Sequence, residues 1–161
     1  MVKLIRWKIK EIIQEMNIRK AENSELKTIF TLSPQAVLEG TLGEVRPSNL
    51  KIESLVKPLL EKGSFYLVAA DEEKILGWLL LGTAKDHFSD QVLGFIYEIY
   101  ILKDYRGKGF SKELMNAAIE HFQQEGYTEV RLSAKAENPA VRMYENAGFK
   151  TRTVSMSLNL K

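Results

Sequence analysis

Tyr105-Arg106-Gly107-Lys108-Gly109-Phe110-Ser111 joins two stretches of opposite character, and the rest of the chain is read outward from it. Before it, residues 94–102 (GFIYEIYIL) are rich in β-branched and aromatic types, the composition of a strand. After it, Lys112-Glu113-Leu114-Met115-Asn116-Ala117-Ala118-Ile119 repeats its apolar positions at helical spacing. The glycines therefore fall at a strand-to-helix turn. Glycine lets the main chain come close to a ligand, and the first turn of a helix offers unpaired N–H donors and a partial positive charge. An anionic phosphate group suits such a turn.

Upstream, residues 16–21 read as a short strand, and Glu22-Asn23-Ser24 supplies capping residues for a helix that Ser33-Pro34 is expected to end. A second helix is predicted from about Pro47 to Glu61, kinked or shortened at Pro58, with Gly63 at its exit. Residues 65–70, the polar turn 71–74 and residues 75–81 form the pattern of an antiparallel hairpin. Downstream, a helix runs to about Glu125, a strand covers 129–133, and a short helix spans Pro139 to Ala147 with Gly148 at its exit. Residues 149–158, rich in Thr, Val and alternating Ser, Met and Leu, read as a final strand. The order predicts an α/β fold, a mixed and largely antiparallel central sheet flanked by helices on both faces.

A chain of 161 residues with 45% hydrophobic content fits one domain at residues 16–161, preceded by a cationic, amphipathic extension at 1–15. That extension is read as a terminal element packing on the domain or on a second subunit, which makes a homodimer possible; a membrane-surface helix is the rival reading. The net charge of +2 is too small for a nucleic-acid footprint, so no nucleic-acid partner is expected. No apolar run approaches the roughly 20 residues that span a bilayer. The absence of cysteine rules out disulfides and thiolate zinc sites, suits a reducing compartment and makes cytoplasm the default expectation. No metal site is predicted. Two other phosphate signatures fail: a P-loop would need glycine where Leu102 stands, and a dinucleotide fingerprint would need glycine in place of Lys112.

With the turn at 106–111 and the later run Asn138-Pro139-Ala140-Val141-Arg142-Met143-Tyr144-Glu145-Asn146-Ala147-Gly148-Phe149, residues 16–159 resemble the GCN5-related N-acetyltransferase (GNAT) superfamily. The first block is similar to that family's Arg/Gln-x-x-Gly-x-Gly/Ala pyrophosphate loop, the second to its Asn…Tyr…Gly-Phe block. Ser111 departs from the usual Gly or Ala but is small enough for close approach. The resemblance implies acetyl-CoA as donor and an amine, small molecule or peptide, as acceptor. It places the pantetheine arm along the main chain at Tyr100, Ile101 and Leu102, and the pyrophosphate on the amides from Gly107 through Lys108, Gly109 and Phe110 to Ser111. Arg106 and Lys108 either add charge or are solvated. Asn138 reads as a helix cap, a cofactor ligand or both.

Acetyl transfer from a thioester to an amine needs a neutral amine, stabilisation of the developing oxyanion and a proton for the departing thiolate. A thiol has a reference pKa of about 8.5 and a phenol about 10, so a tyrosine suits the last task. Tyr144, matching the family's tyrosine, is the expected general acid, against the alternative of a side chain filling the helix–sheet seam. Glu98, a carboxyl among apolar neighbours, is the expected general base, directly or through a water, against a solvated or ion-paired strand residue. Strict alternation sets Glu98 with Ile96 and Tyr100, away from Phe95, Tyr97, Ile99 and Ile101, although family members carry their carboxylate at positions matching Phe95 or Tyr97. A bulge would restore the match. His87 reads as acceptor-site lining or plain surface, Trp78 as core or dimer contact. A non-catalytic acyl-CoA-binding or sensing module is the alternative function.

Overall fold

The computed structural model describes residues 16–161, so the expected extension at 1–15 lies outside the described residues. The chain runs β1 (Met16–Lys20), α1 (Asn23–Gly40), α2 (Asn49–Glu61), β2 (Phe65–Asp71), β3 (Lys74–Lys85), β4 (Val92–Ile101), a 3-10 turn (Lys103–Tyr105), α3 (Phe110–Gln124), β5 (Val130–Leu132) and α4 (Ala140–Asn146). The strands lie in sequence order across one sheet; β1 to β4 pair antiparallel and β5 joins β4 in parallel. This is the mixed α/β sheet that the sequence predicts.

Two apolar layers hold it. Ile29 and Ala36 of α1 and Ile52 and Val56 of α2 cover one face, against Tyr66, Val68, Trp78 and Leu80. On the other, Phe110, Leu114, Met115, Ala118 and Phe122 of α3 meet Leu79, Leu81, Ile96 and Ile101. β3 is therefore buried on both sides, which explains why residues 75–81 are so continuously apolar. Close approach of α3 depends on Gly94: a Cβ there would lie 2.7 Å from the buried Phe122 ring. Gly94→Ala is expected to cost about 1–3 kcal/mol, read from urea unfolding, because a filled core has no room for a further methyl.

Three elements differ from their sequence prediction. α1 does not stop at Pro34 but continues to Gly40. Proline deprives the Phe30 carbonyl, four residues back, of its helical donor, and Asn49 at the start of α2 supplies one instead, from Nδ2 at 3.0 Å. α2 begins one residue after its cap Ser48, whose hydroxyl accepts the Lys51 N–H, so Pro47 lies outside the helix. The expected strand at 149–158 has no strand partner among the described residues, and residues 151–161 are exposed.

β4 carries the irregularity that matters for the site. Leu80 pairs with Glu98 and Leu81 with Ile96, leaving Tyr97 as an extra residue. The bulge overturns strict alternation. Ile96 joins Ile99 and Ile101 on the α3 side, whereas Tyr97 and Tyr100 pack with the α1/α2 layer. Glu98, opposite Leu80, shares that second face.

Candidate active site

β5 pairs with β4 over its whole length, from Gly94↔Val130 to Ile96↔Leu132, so Glu98, Ile99, Tyr100 and Ile101 have no strand partner on that side among the described residues. The glycine turn lies just past the end of β4, and the Asn138 segment follows β5. Expected cofactor residues from both halves of the chain thus follow the ends of two neighbouring parallel strands.

Gly107 and Gly109 adopt φ of +72° and +87°, in the region that favours glycine, and a Cβ on either would meet no protein atom within 4 Å. The main chain is therefore uncovered on that side. Gly109 is the N-cap of α3, whose first intrahelical bond runs from the Glu113 N–H to the Gly109 carbonyl, leaving the preceding amides without helical acceptors. Phe110 is 2% exposed and anchors α3 in the core, so only its main chain is available to a ligand. Ser111 is half-buried behind it.

The charged side chains of the turn are mostly engaged elsewhere. Arg106 donates through Nε to the Ile101 carbonyl (2.9 Å), pairs with Glu39 Oε2 of α1 (2.5 Å) and lies over the Tyr100 ring. Tyr100 in turn donates to Glu39 Oε1 at 3.2 Å and packs on Trp78, 5.0 Å between rings. Arg106 acts as a strut that ties the turn to β4 and α1. Lys108 and Lys74 both sit over the Tyr105 ring. Asn138 stands one residue before the N-cap of α4, Pro139; its Oδ1 accepts the Ala140 N–H at 2.9 Å, and its Nδ2 donates to the Gly40 carbonyl. Lys135 pairs with Glu44, so the end of α1 and the following loop reach the segment after β5.

Glu98 is half-buried as a residue, yet its Oε1 is shielded from solvent and has no hydrogen-bond partner among the described residues. Burial pushes its carboxyl up to about 7, opposed only by the nearby Trp78 indole. The Trp78 N–H falls short of a hydrogen bond: Nε1, like the Tyr66 hydroxyl, is buried without a partner. The Tyr66 phenol is raised by burial and then by the Glu98 charge. A carboxyl that neither an ion pair nor a hydrogen bond holds in its charged form can bind and release a proton near neutrality. Trp78 is fully buried, so the core reading holds for it.

Tyr144 lies on the opposite face. It packs with the α3 layer and meets Phe149 edge-on at 6.4 Å, in a helix end closed by the Phe149 N–H to the Tyr144 carbonyl and by Gly148 at φ +101°. Burial raises its phenol above the usual value. Glu98 and Tyr144 therefore lie towards opposite faces of the sheet. His87 is exposed in the 86–91 loop, beside an ionic cluster in which Arg131 binds Asp86 (2.5 Å) and Glu129 (2.6 Å). These contacts hold the Asp86 carboxyl well below the usual carboxylate range, chiefly through Arg131 and then through the Ser89 and Phe88 amides. Sequence reasoning missed Glu39, because α1 was expected to end before it, and Tyr66, which nothing local distinguishes from a core tyrosine. Among the described residues, no group of three or more His, Asp and Glu side chains gathers to hold a metal ion, and no helix is long and apolar enough to cross a membrane.

A mixed sheet of this order with a glycine turn at the head of the following helix defines an acyltransferase-type fold, and comparison with known proteins places it further. Residues 28–149 match the Acetyltransferase (GNAT) family, and the chain belongs to it. Among curated proteins it is 33% identical over 91 residues to an uncharacterized N-acetyltransferase, YycN, of Bacillus subtilis, covering 56% of this chain and 57% of that one. A mycothiol acetyltransferase of Renibacterium salmoninarum is 32% identical over 111 residues, 66% of this chain and 32% of the relative. The matches thus span less than two thirds of these relatives. A solved structure, a putative acetyl transferase from Pyrococcus furiosus, aligns with a TM-score of 0.76 at 25% identity over 91% of this chain and all of that one. An aminoglycoside acetyltransferase from a soil metagenome shares the fold at 21% identity, with a TM-score of 0.67 over 93% of this chain and 99% of that one.

Proposed function

We propose that the chain is an acetyl-CoA-dependent N-acetyltransferase that moves the acetyl group to an amine by direct attack in a ternary complex. The observation that carries the reading is the uncovered glycine turn at the head of α3, beside a β4 that has Glu98 on its α1/α2 face while Tyr144 packs on the other. Uncovered main chain at Gly107 and Gly109 fits the carrier's diphosphate, since nothing of the protein fills the space a Cβ would take. Main-chain groups of β4 around Tyr100 and Ile101 align the pantetheine arm and polarise the thioester carbonyl, whereas the Leu102 N–H is already given to the Leu76 carbonyl and the Ile101 carbonyl to Arg106. Glu98 takes the proton that the ammonium must shed, the amine adds to the carbonyl carbon, the carbon–sulfur bond breaks as Tyr144 gives its proton to the thiolate, and the nitrogen's second proton passes to water, from which Tyr144 is reprotonated. A cysteine-free chain suits attack without a covalent enzyme intermediate. The acceptor is an amine, from a small molecule or a peptide, entering on the α1/α2 side where Tyr97, Glu98 and Tyr100 lie.

The test is release of free coenzyme A with a panel of amines. Acceptor-dependent release supports the reading; saturable acetyl-CoA binding with no release above background for any amine favours a non-catalytic sensing module. Gly109→Val is expected to abolish the melting shift given by acetyl-CoA, about 2.7 kcal/mol at a hundredfold excess over its Kd. A branched residue at φ +87° is strained and also fills the uncovered side of the turn. A shift that survives the substitution would move the diphosphate elsewhere.

A further inference from the structure

Three buried polar atoms on the α1/α2 face have no hydrogen-bond partner among the described residues: the Tyr66 hydroxyl, Trp78 Nε1 and Glu98 Oε1. Other polar side chains of that layer are satisfied. Tyr97 gives its hydroxyl to the Thr83 carbonyl at 2.7 Å, Tyr100 gives its own to Glu39, and the buried Ser33 hydroxyl donates to the Ile29 carbonyl at 2.9 Å. Glu39 and Arg106, the charged groups gathered at Tyr100, are paired with each other. Buried polar groups are almost always hydrogen-bonded, and each one left alone bears its full desolvation cost.

Strand register brings the three together. Tyr66 pairs with Leu80 and Leu80 with Glu98, which sets the phenol and the carboxyl in one row across β2, β3 and β4, to either side of Leu80. Trp78 stands two residues before Leu80 and opposite Tyr100, hence diagonal to Glu98, at a spacing of ~7–8 Å that long side chains bridge. The Glu98 charge acts on the Tyr66 phenol, and the Trp78 N–H acts on the Glu98 carboxyl. Their chemistry is complementary, since the phenol and the indole donate and the carboxylate accepts. A water molecule has the matching set: two lone pairs for the donors and an O–H for the acid.

We propose that Tyr66 and Trp78 are positioning residues for Glu98, and that with its Oε1 they form a buried site for one water molecule that fastens the carboxylate from behind and leaves Oε2 to the acceptor. The role, though not the site itself, rests on Glu98 being the general base. Held by three partners, this water fixes the orientation of the carboxylate and favours its charged form against the desolvation that opposes it. It is not the carrier of the acceptor's proton, which goes to Oε2. β2 and β3 thus contribute to the reaction through side chains that touch neither substrate nor cofactor.

Tyr66→Phe removes one donor and keeps the ring in its place beside Phe30, 6.5 Å between centroids, so the variant is expected to fold like the parent. The Glu98 carboxyl carbon is followed by ¹³C NMR against pH, its signal assigned by its loss in Glu98→Gln. The parent carboxyl titrates at about 7, and in Tyr66→Phe the midpoint is expected to rise by roughly one pH unit, because a lost donor withdraws support from the charge. The rise of kcat/KM with pH should shift by the same amount with KM for acetyl-CoA unchanged, and the parent's Trp78 indole N–H signal should move with the Glu98 midpoint. Above pH 7 the variant should melt below the parent. An unchanged midpoint, or a variant that melts at or above the parent there, as loss of an idle hydroxyl would give, overturns the proposal. A shifted midpoint together with full activity in Glu98→Gln upholds the water site and removes the base reading instead.

Discussion

Glu98→Gln is expected to lower kcat/KM by roughly 10²- to 10⁴-fold at neutral pH, the range that a positioned general base supplies, while leaving acetyl-CoA affinity unchanged. The parent enzyme should gain activity as pH rises through about 7, where the buried carboxyl loses its proton, and the variant should lack that limb. Stability moves the other way. The folded protein keeps the Glu98 proton to about pH 7, whereas an unfolded carboxyl releases it near 4.5, so the cost of burying this group grows from pH 4.5 to 7 and persists above. Glu98→Gln removes that cost, and its melting temperature should exceed the parent's above pH 7 but not at pH 4. A carboxylate that merely props up the sheet would not give less activity and more stability from one substitution. Parent-like activity across the pH range removes Glu98 from the reaction.

Tyr144→Phe is expected to slow turnover by roughly 10²- to 10⁴-fold if the phenol protonates the thiolate, with KM for the donor nearly unchanged. The ring's contact with Phe149 and the α3 layer survives the substitution, so melting should hardly move. Single-turnover measurements with saturating acetyl-CoA separate this from slow product release. An unchanged rate would reduce Tyr144 to a side chain that seats α4 on the sheet.

The parts of the site that were legible in sequence depend on local geometry. Gly107 and Gly109 announce left-handed backbone by residue type, and the apolar spacing of α3 fixes where the helix begins. Gly148 marks the exit of α4 in the same way. What stayed hidden depends on partners far along the chain. α1 passes Pro34 only because Asn49, 15 positions later, serves the Phe30 carbonyl, and with that helix turn went Glu39 and its hold on Arg106. The bulge at Tyr97 arises from how β4 meets β3, and no residue in GFIYEIYIL signals it. Without the bulge, alternation misplaced Ile96 relative to Glu98. The expected terminal strand shows the converse: the alternation at 149–158 was legible, but no strand pairs with these residues among those described.

The central claim, that main-chain amides of the 106–111 turn grip the diphosphate of a thioester carrier, is tested most directly by titrating acetyl-CoA and acetyl-pantetheine into the folded protein in a calorimeter. The account predicts saturable binding of one acetyl-CoA per chain and far weaker binding of acetyl-pantetheine, which lacks the diphosphate. No saturable heat with acetyl-CoA, or equal affinity for the two, would contradict it.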